Sequence, residues 1–265
     1  MNISLHYEHL GEIKVAEKVI SIIKVSKVLK RLAKEPYEMT ALELSNELNI
    51  NRSTIHRILN TLISEMMVLK NPSNKKYKIG PTLYHMGSAY LYRQDNSEQI
   101  KHILDCIAKE TKQSVGYSIL AGEKILNIYE IESYQPIKIG YRQGSYYPIH
   151  CGVYGKCIMA YLKPKERLKE IVYSNKLIKK TNKTITDPKE LLTEYERIRK
   201  SGYAISDEES LEGAIGIGAP VKDSNENIIG CVGAAGIKSS LSSKDLEFLK
   251  SKVILGAKEI SKLMP

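Results

Sequence analysis

The sequence predicts a chain of the α+β class in two parts. Apolar residues recur at helical spacing through the first third, a basic hairpin follows them, and beyond residue 93 strand-like runs joined by tight turns alternate with helices. The 265 residues, 42% of them hydrophobic, suffice for one large core or two smaller ones and exclude a wholly disordered chain. No run of about 18 uncharged apolar residues is present, which excludes a transmembrane helix and membrane partnership. Met1 to Leu10 is polar, carries Glu8 and two histidines, and does not read as a signal peptide. The net charge of +10 implies an anionic partner without saying whether it is nucleic acid, lipid or a small ligand.

The first helix is predicted from Val15, Val19, Ile22, Val25, Leu29 and Leu32, which form one apolar stripe that ends before Pro36. Its lysines read as a solvated face. A shorter helix follows, capped by Thr40 with Glu43 three residues on, and directs Leu44 and Leu48 to one side. Asn49 suits a left-handed turn position. The next helix buries Ile55, Ile58, Leu59 and Leu62, while Arg52, Ser53, Thr54, His56, Arg57 and Asn60 remain for its N-terminal half and polar face. Two short helices joined by a tight turn make a helix-turn-helix, whose second helix can bring side chains to base edges and amides to phosphate. Val68 to Lys70 and Lys76 to Ile79 flank Pro72-Ser73-Asn74 as a hairpin, with Lys76 and Lys78 facing outward. A basic hairpin after such a helix is a wing suited to phosphate contact.

Charge mapping sharpens this reading. Between Arg52 and Lys78 six basic residues stand against Glu65 alone, and residues 1–93 hold +6 of the net charge. The remaining +4 is spread over the other 172 residues.

The stretch from Ile50 to Leu62, Asn-Arg-Ser-Thr-Ile-His-Arg-Ile-Leu-Asn-Thr-Leu after the first isoleucine, closely resembles the recognition-helix signature of IclR-type bacterial transcription regulators. Tyr77-Lys78-Ile79-Gly80 resembles the family's wing ending, and Thr82 to Arg93 its linker helix. The family usually has glycine in the helix-turn-helix turn and at the end of the recognition helix; this chain has Asn49 and, near the second place, Met66. The resemblance implies a winged helix-turn-helix DNA-binding domain over 1–80, a linker helix over 81–96 and an effector-binding domain over 97–265.

In the second part, residues 97–110 read as a helix capped by Ser97, with Ile100, Ile103, Leu104 and Ile107 on one face. Strands are predicted over Ser114 to Leu120, Lys124 to Glu132 and Pro136 to Tyr141, the first two joined at Ala121-Gly122-Glu123. Helices follow through Lys156 to Leu162, from Pro164, and from Asp187-Pro188 to Gly202; two late strands, Ile215 to Lys222 and Ile228 to Ile237, precede a final helix from Ser242 to Leu263. Gly155-Lys156-Cys157-Ile158-Met159-Ala160, Gly202-Tyr203-Ala204 with Asp207-Glu208-Glu209, Ala219-Pro220-Val221 and Gly233-Ala234-Ala235-Gly236 again resemble the IclR family. That resemblance implies a GAF/PAS-like fold with a mainly antiparallel sheet and a small-molecule effector.

Relatives that bind small carboxylates often carry hydroxyl residues on the late strand, where this chain has Gly233 and Ala235, with Gly216 on its neighbour. Each lost hydrogen bond to a charged ligand is worth roughly 1.5–3 kcal/mol. The expectation is a roomier, less polar pocket drawing on Tyr117, Ile128, Gly155, Lys156, Gly216, Cys231, Gly233 and Ala235, for a metabolite with organic acids among the candidates. The same small residues also read as places of close sheet packing.

Other functions find less support. Gly152 to Cys157 echoes a phosphate loop, but its spacing is too short and no Ser or Thr follows the lysine. No G-x-S-x-G elbow is present. Asp207, Glu208 and Glu209 read as a solvated turn, salt-bridged to Lys156 or Arg142, and no residue reads as catalytic. The four cysteines, Cys106, Cys151, Cys157 and Cys231, form no C-x-x-C pair and read as reduced cytosolic thiols; His150, Cys151 and Cys157 lack the second ligand pair of a zinc site. No metal or cofactor is expected. The sequence therefore predicts a cytoplasmic, ligand-responsive transcription regulator, repressor or activator, that binds double-stranded operator DNA as a homodimer or homotetramer. The alternatives are a small-molecule-binding signalling protein whose winged domain contacts proteins and, third, an enzyme.

Overall fold

A computed structural model of the chain describes residues 19–92, 96–132, 139–140 and 142–264. Contacts divide it into two compact units, Met1–Asp95 and Asn96–Pro265.

The first unit contains α1 (Ile20–Leu32), β1 (Glu38–Met39), α2 (Ala41–Leu48), α3 (Arg52–Ser64), β2 (Val68–Lys70), β3 (Tyr77–Ile79) and α4 (Pro81–Tyr92). Val28, Leu32, Leu44, Ile55, Ile58, Leu59, Leu62, Val68 and Tyr77 form its core with Met39 and Ile50. The Thr40 side chain accepts a hydrogen bond from the Glu43 amide while Glu43 accepts one from Thr40, a complete capping box. Asn49 closes α2 in the left-handed region at φ 51°. The three strands run antiparallel in the order β1-β3-β2, so the hairpin pairs as expected while β1, two residues with no periodicity to display, was not foreseen. The stripe of α1 is apolar for longer than it is buried: Val28 and Leu32 enter the core, whereas Val19 and Ile22 are exposed. Val15 lies outside the described residues.

The junction between α3 and the wing turns without glycine. Met66 takes φ 54°, and the Met67 amide returns to the Leu62 carbonyl. Gly80 makes this possible from the other side: a Cβ there would collide with the Met66 carbonyl oxygen and the backbone of Met67 and Val68. The Thr82 hydroxyl then donates to the Glu65 carbonyl at 2.9 Å, tying α4 to the end of α3.

The second unit is built on one antiparallel sheet in the order β6-β5-β4-β9-β8-β7. Its elements are α5 (Ser97–Thr111), β4 (Ser114–Ala121), β5 (Lys124–Ile131), β6 (Tyr146–Tyr147), α6 (Val153–Ala160), α7 (Lys165–Ser174), α8 (Pro188–Ser201), β7 (Ala204–Asp207), β8 (Ala214–Lys222), β9 (Ile228–Ile237) and α9 (Ser243–Lys262). Helices α5 and α9 pack on each other and on one side of the sheet, and α6 packs on β8 and β9 with α7 and α8 beyond it. Residues directly opposite in the ladder share a face. The pairs Ser206–Gly216, Gly216–Ala235 and Ala235–Ser114 make one row, and Gly218–Gly233 and Gly233–Gly116 another, so small side chains carpet the side that receives α6.

Several sequence expectations shift here. The N-cap of α5 is Asn96 rather than Ser97, with no side-chain cap bond. Most of the strand expected over 136–141 lies outside the described residues, and 139–140 carry no strand; the edge is β6 instead. Helix α6 stops at Ala160, short of Leu162. The strand β7 was missed because it is short and opens directly after the helix-ending Gly202.

Replacing Gly80 by Ala is expected to lower stability by about 1–3 kcal/mol, since the neighbouring backbone cannot move aside as a flexible side chain would. Thermal unfolding followed by circular dichroism measures the loss; an unchanged midpoint contradicts the proposed crowding at the junction.

Candidate nucleic-acid interface and ligand cavity

The polar face of α3 and the wing place the expected DNA-contact residues unequally. Arg52, Ser53, Arg57 and Asn60 are exposed, whereas Thr54 and His56 are half-buried at the flank. Lys78 is exposed on β3; Lys76 is half-buried and held by Glu38 at 3.3 Å. Lys70 lies over the Tyr77 ring at 5.6 Å, and Lys75 occupies the hairpin turn at φ 56°. Among the described residues, the side chains of Arg52, Arg57, Lys75 and Lys78 enter no ion pair. The unit therefore keeps free cations at the start of one helix and on its hairpin. Lys76, expected beside Lys78 as an equal partner, must first give up Glu38.

The second unit holds a cavity of about 270 Å³ between α6, the ends of β7–β9 and the loops before α6 and α8. Its apolar wall includes Ile139, Tyr147, Tyr154, Leu211 and Ile215, and its polar groups include Ser206, Ser210 and Lys180. Gly152, at φ 78°, turns the chain into α6 at the cavity wall, where the helix's first amides lack partners within the helix. Burial pushes the Cys151 thiol up to about 11, against the lowering effect of the nearby Lys180 charge, so this thiol is inert at neutral pH.

Of the residues expected to form a pocket, Gly155, Gly216 and Ala235 line the cavity. The others are placed elsewhere. Tyr117 pairs with Val232 on the opposite side of the sheet from Gly233, with its ring over Gly230 and near Tyr129. Ile128 is the extra residue of the bulge opposite Tyr117 and Ser118. Cys231 is sealed beneath α6 beside Cys157, and burial raises its thiol well above the ordinary range. Gly233 serves packing: a Cβ would stand 2.6 Å from the Tyr154 ring. Lys180, Ser206 and Ser210 were not foreseen as lining residues. A run of lysines without an acid between Asn175 and Thr186 was the available signal for Lys180.

Lys156 does not line the cavity, but it makes the salt bridge to the acidic turn that was expected of it. Its ammonium is 1% exposed and meets Glu194 at 2.8 Å, Glu209 at 2.5 Å and the Ile205 carbonyl at 2.6 Å. It thus joins α6 to α8 and to the end of β7. Burial raises the Glu209 carboxyl above its usual range despite Lys156; burial also opposes ionisation of Glu194, but its bonds to Arg197 and Lys156 prevail and hold it low. The expected solvated turn is accordingly divided. Asp207 and Glu208 do face Lys183 and Lys238, and those lysines with the Gly213 amide bring Glu208 down to about 2, whereas Glu209 turns inward. The cations in the ion pairs described for this turn are Lys156, Lys183 and Lys238.

Among the described residues no group of three or more His, Cys, Asp and Glu could hold a metal ion, and no helix is long and apolar enough to cross a membrane.

Comparison with known proteins gives consistent matches over nearly the whole chain. The IclR helix-turn-helix domain model matches residues 21–72, and the model for the C-terminal part of the bacterial transcriptional regulator IclR matches residues 88–262. The HTH-type transcriptional regulator BhcR of Paracoccus denitrificans (strain Pd 1222) is 26% identical, with 96% of this chain and 88% of that protein covered. The crystal structure of an IclR transcriptional regulator from Alicyclobacillus acidocaldarius superposes with a TM-score of 0.83 at 23% identity, covering 94% of this chain and 100% of that one. An IclR homologue from Microbacterium hydrocarbonoxydans, crystallised in complex with 4-hydroxybenzoate, shares the fold at a TM-score of 0.73 and 16% identity, over 91% of this chain and 99% of that one.

Replacing Lys156 by Met is expected to destabilise the second unit by about 3–5 kcal/mol, because two largely buried carboxylates lose their shared cation. Adding Glu209→Gln to Lys156→Met should recover part of that loss in a denaturant titration. Equal stability of the single and double variants would contradict the bridging role.

Proposed function

Because the chain belongs to the IclR family of bacterial transcriptional regulators, we propose that its helix-turn-helix domain binds double-stranded operator DNA as a homo-oligomer and that a small organic effector in the cavity alters that affinity. The observation that carries the DNA half is the set of free cations, Arg52 and Arg57 on α3 with Lys75 and Lys78 on the wing, on an otherwise polar surface. In this arrangement α3 enters the major groove, where Arg57 meets a guanine or a phosphate and Arg52, Ser53 and Asn60 lie along the same approach. Thr54 and His56 support this face from its flank. The wing lysines neutralise phosphate, Lys76 after release from Glu38, and set the salt dependence more than the sequence choice.

Two-fold operators call for two-fold proteins. The exposed apolar side chains of α1 and α4, among them Ile20, Ile22, Tyr84, Met86 and Tyr90, support self-association of the first unit. Helix α4 acts as the linker between reader and sensor. The effector half rests on the cavity: its apolar wall suits a carbon skeleton and its serines and lysine suit polar substituents. The 4-hydroxybenzoate complex of the Microbacterium homologue makes aromatic acids a sensible first class to try.

Arg57→Ala should weaken binding to the chain's own promoter fragment by at least about tenfold without changing the oligomer seen by light scattering. Lys78→Gln should weaken binding to all DNA alike and lower the slope of log affinity against log salt by about one. Unchanged affinity in the first variant removes Arg57 from the interface, and an unchanged slope in the second removes Lys78 from phosphate contact.

A further inference from the structure

On the reading that the cavity binds an effector, we propose that Lys180 makes it selective for an organic anion over the neutral isostere. The residue belongs to an irregular strap between α7 and α8, which runs from Asn175 to Asp187 and is fastened to the cavity's rim at several points. The Thr184 hydroxyl accepts hydrogen bonds from the Lys180 amide at 3.0 Å and the Thr181 amide at 2.9 Å, and donates to the Glu209 carbonyl at 2.6 Å. The Thr181 hydroxyl donates to the Glu208 carbonyl at 2.6 Å. Both threonines are 7% exposed. On the other side His150 donates to the Ile178 carbonyl at 3.0 Å. The backbone that carries Lys180 is therefore held from its own loop, from the turn after β7 and from the segment before α6.

The charge at the end of that backbone is free. Lys156 is consumed by Glu194 and Glu209, and Lys183 and Lys238 by Asp207 and Glu208. Lys180 makes no ion pair among the described residues, yet it lines the cavity and its charge acts on both Cys151 and His150. Among the described residues that line the cavity none is acidic; the Glu130 carboxylate stands behind Gly140, at the wall away from the strap. Lys176 and Lys179 extend the positive field along the same acid-free strap, which attracts anions to the mouth without discriminating among them. The apolar wall leaves room for the uncharged body of the ligand, and a carboxylate reaching Lys180 would have the Ser210 hydroxyl as a further donor.

The test uses the full chain and three acid–amide pairs: benzoate, 4-hydroxybenzoate and phenylacetate, each beside its primary amide, with binding read by ligand-detected NMR. The expected result is that at least one acid binds about tenfold or more tightly than its amide, matching one charge-assisted hydrogen bond. Lys180→Gln should erase that preference, Lys180→Arg should retain it, and Lys179→Gln should change it by no more than about twofold, as befits an exposed charge outside the wall. Lys180 is exposed, so its variants should unfold at the wild-type midpoint without ligand. An acid and amide that bind alike, or an acid preference that survives Lys180→Gln, overturns the proposal and leaves the cavity as a ligand site. Absence of binding by all six compounds overturns the effector reading for this class of ligand and the proposal with it.

Discussion

The second unit depends on a helix with no solvent-facing side. Every residue of α6 is buried, and the helix can sit where it does only because the sheet beneath it offers glycine, alanine and serine. At Gly218 a Cβ would lie 2.9 Å from Val153, and at Gly233 2.6 Å from Tyr154. On its own side, Gly155 lets the helix approach the Pro148 carbonyl. Interiors packed at crystal density accept no such additions without displacement. The price of this burial is a lysine in the middle of the helix, offset by two carboxylates and a carbonyl from α8 and β7. That bridge sets the position of β7, which carries Ser206, and of Ser210 beyond it, so the cavity's shape and the helix's packing are one constraint.

The first unit solves a simpler problem. Three helices and a small sheet bury an aliphatic core with Tyr77 at its edge, and the remaining question is which cations stay free. Ion pairs answer it: Arg31 is taken by Glu47 and Lys76 by Glu38, whereas Arg52, Arg57, Lys75 and Lys78 have no acidic partner among the described residues. A net local charge thus becomes a directed surface only after the internal pairs are removed.

Much of the reader was legible in the sequence because its signals are local. Thr40 and Glu43 are three residues apart, Asn49 supplies its own left-handed turn, and the stripe of α3 is continuous. The glycine-free turn at Met66 could be understood only with Gly80, fourteen positions on, whose missing Cβ leaves space for it. In the second unit, four of the strands and most helices were readable from periodicity, but the sheet order and the cavity were not. Tyr117 and Gly116 look alike as strand residues, yet the pleat sends one away from α6 and the other beneath it. The Glu209 partner of Lys156 was among the expected salt bridges, but Glu194, 38 positions away on another helix, is a partner that no spacing rule reaches. Lys180 owes its placement to hydroxyl–carbonyl bonds of a loop without periodicity.

On the proposed function the protein has two sites joined by one free energy, and linkage requires that coupling to be reciprocal. The most direct measurement is operator affinity by fluorescence anisotropy at fixed salt, with and without a saturating concentration of the compound that most stabilises the chain. The account predicts a change of about fivefold or more in operator affinity and an equal factor in the compound's affinity when operator is present. A compound that fills the cavity and leaves operator affinity unchanged would contradict it.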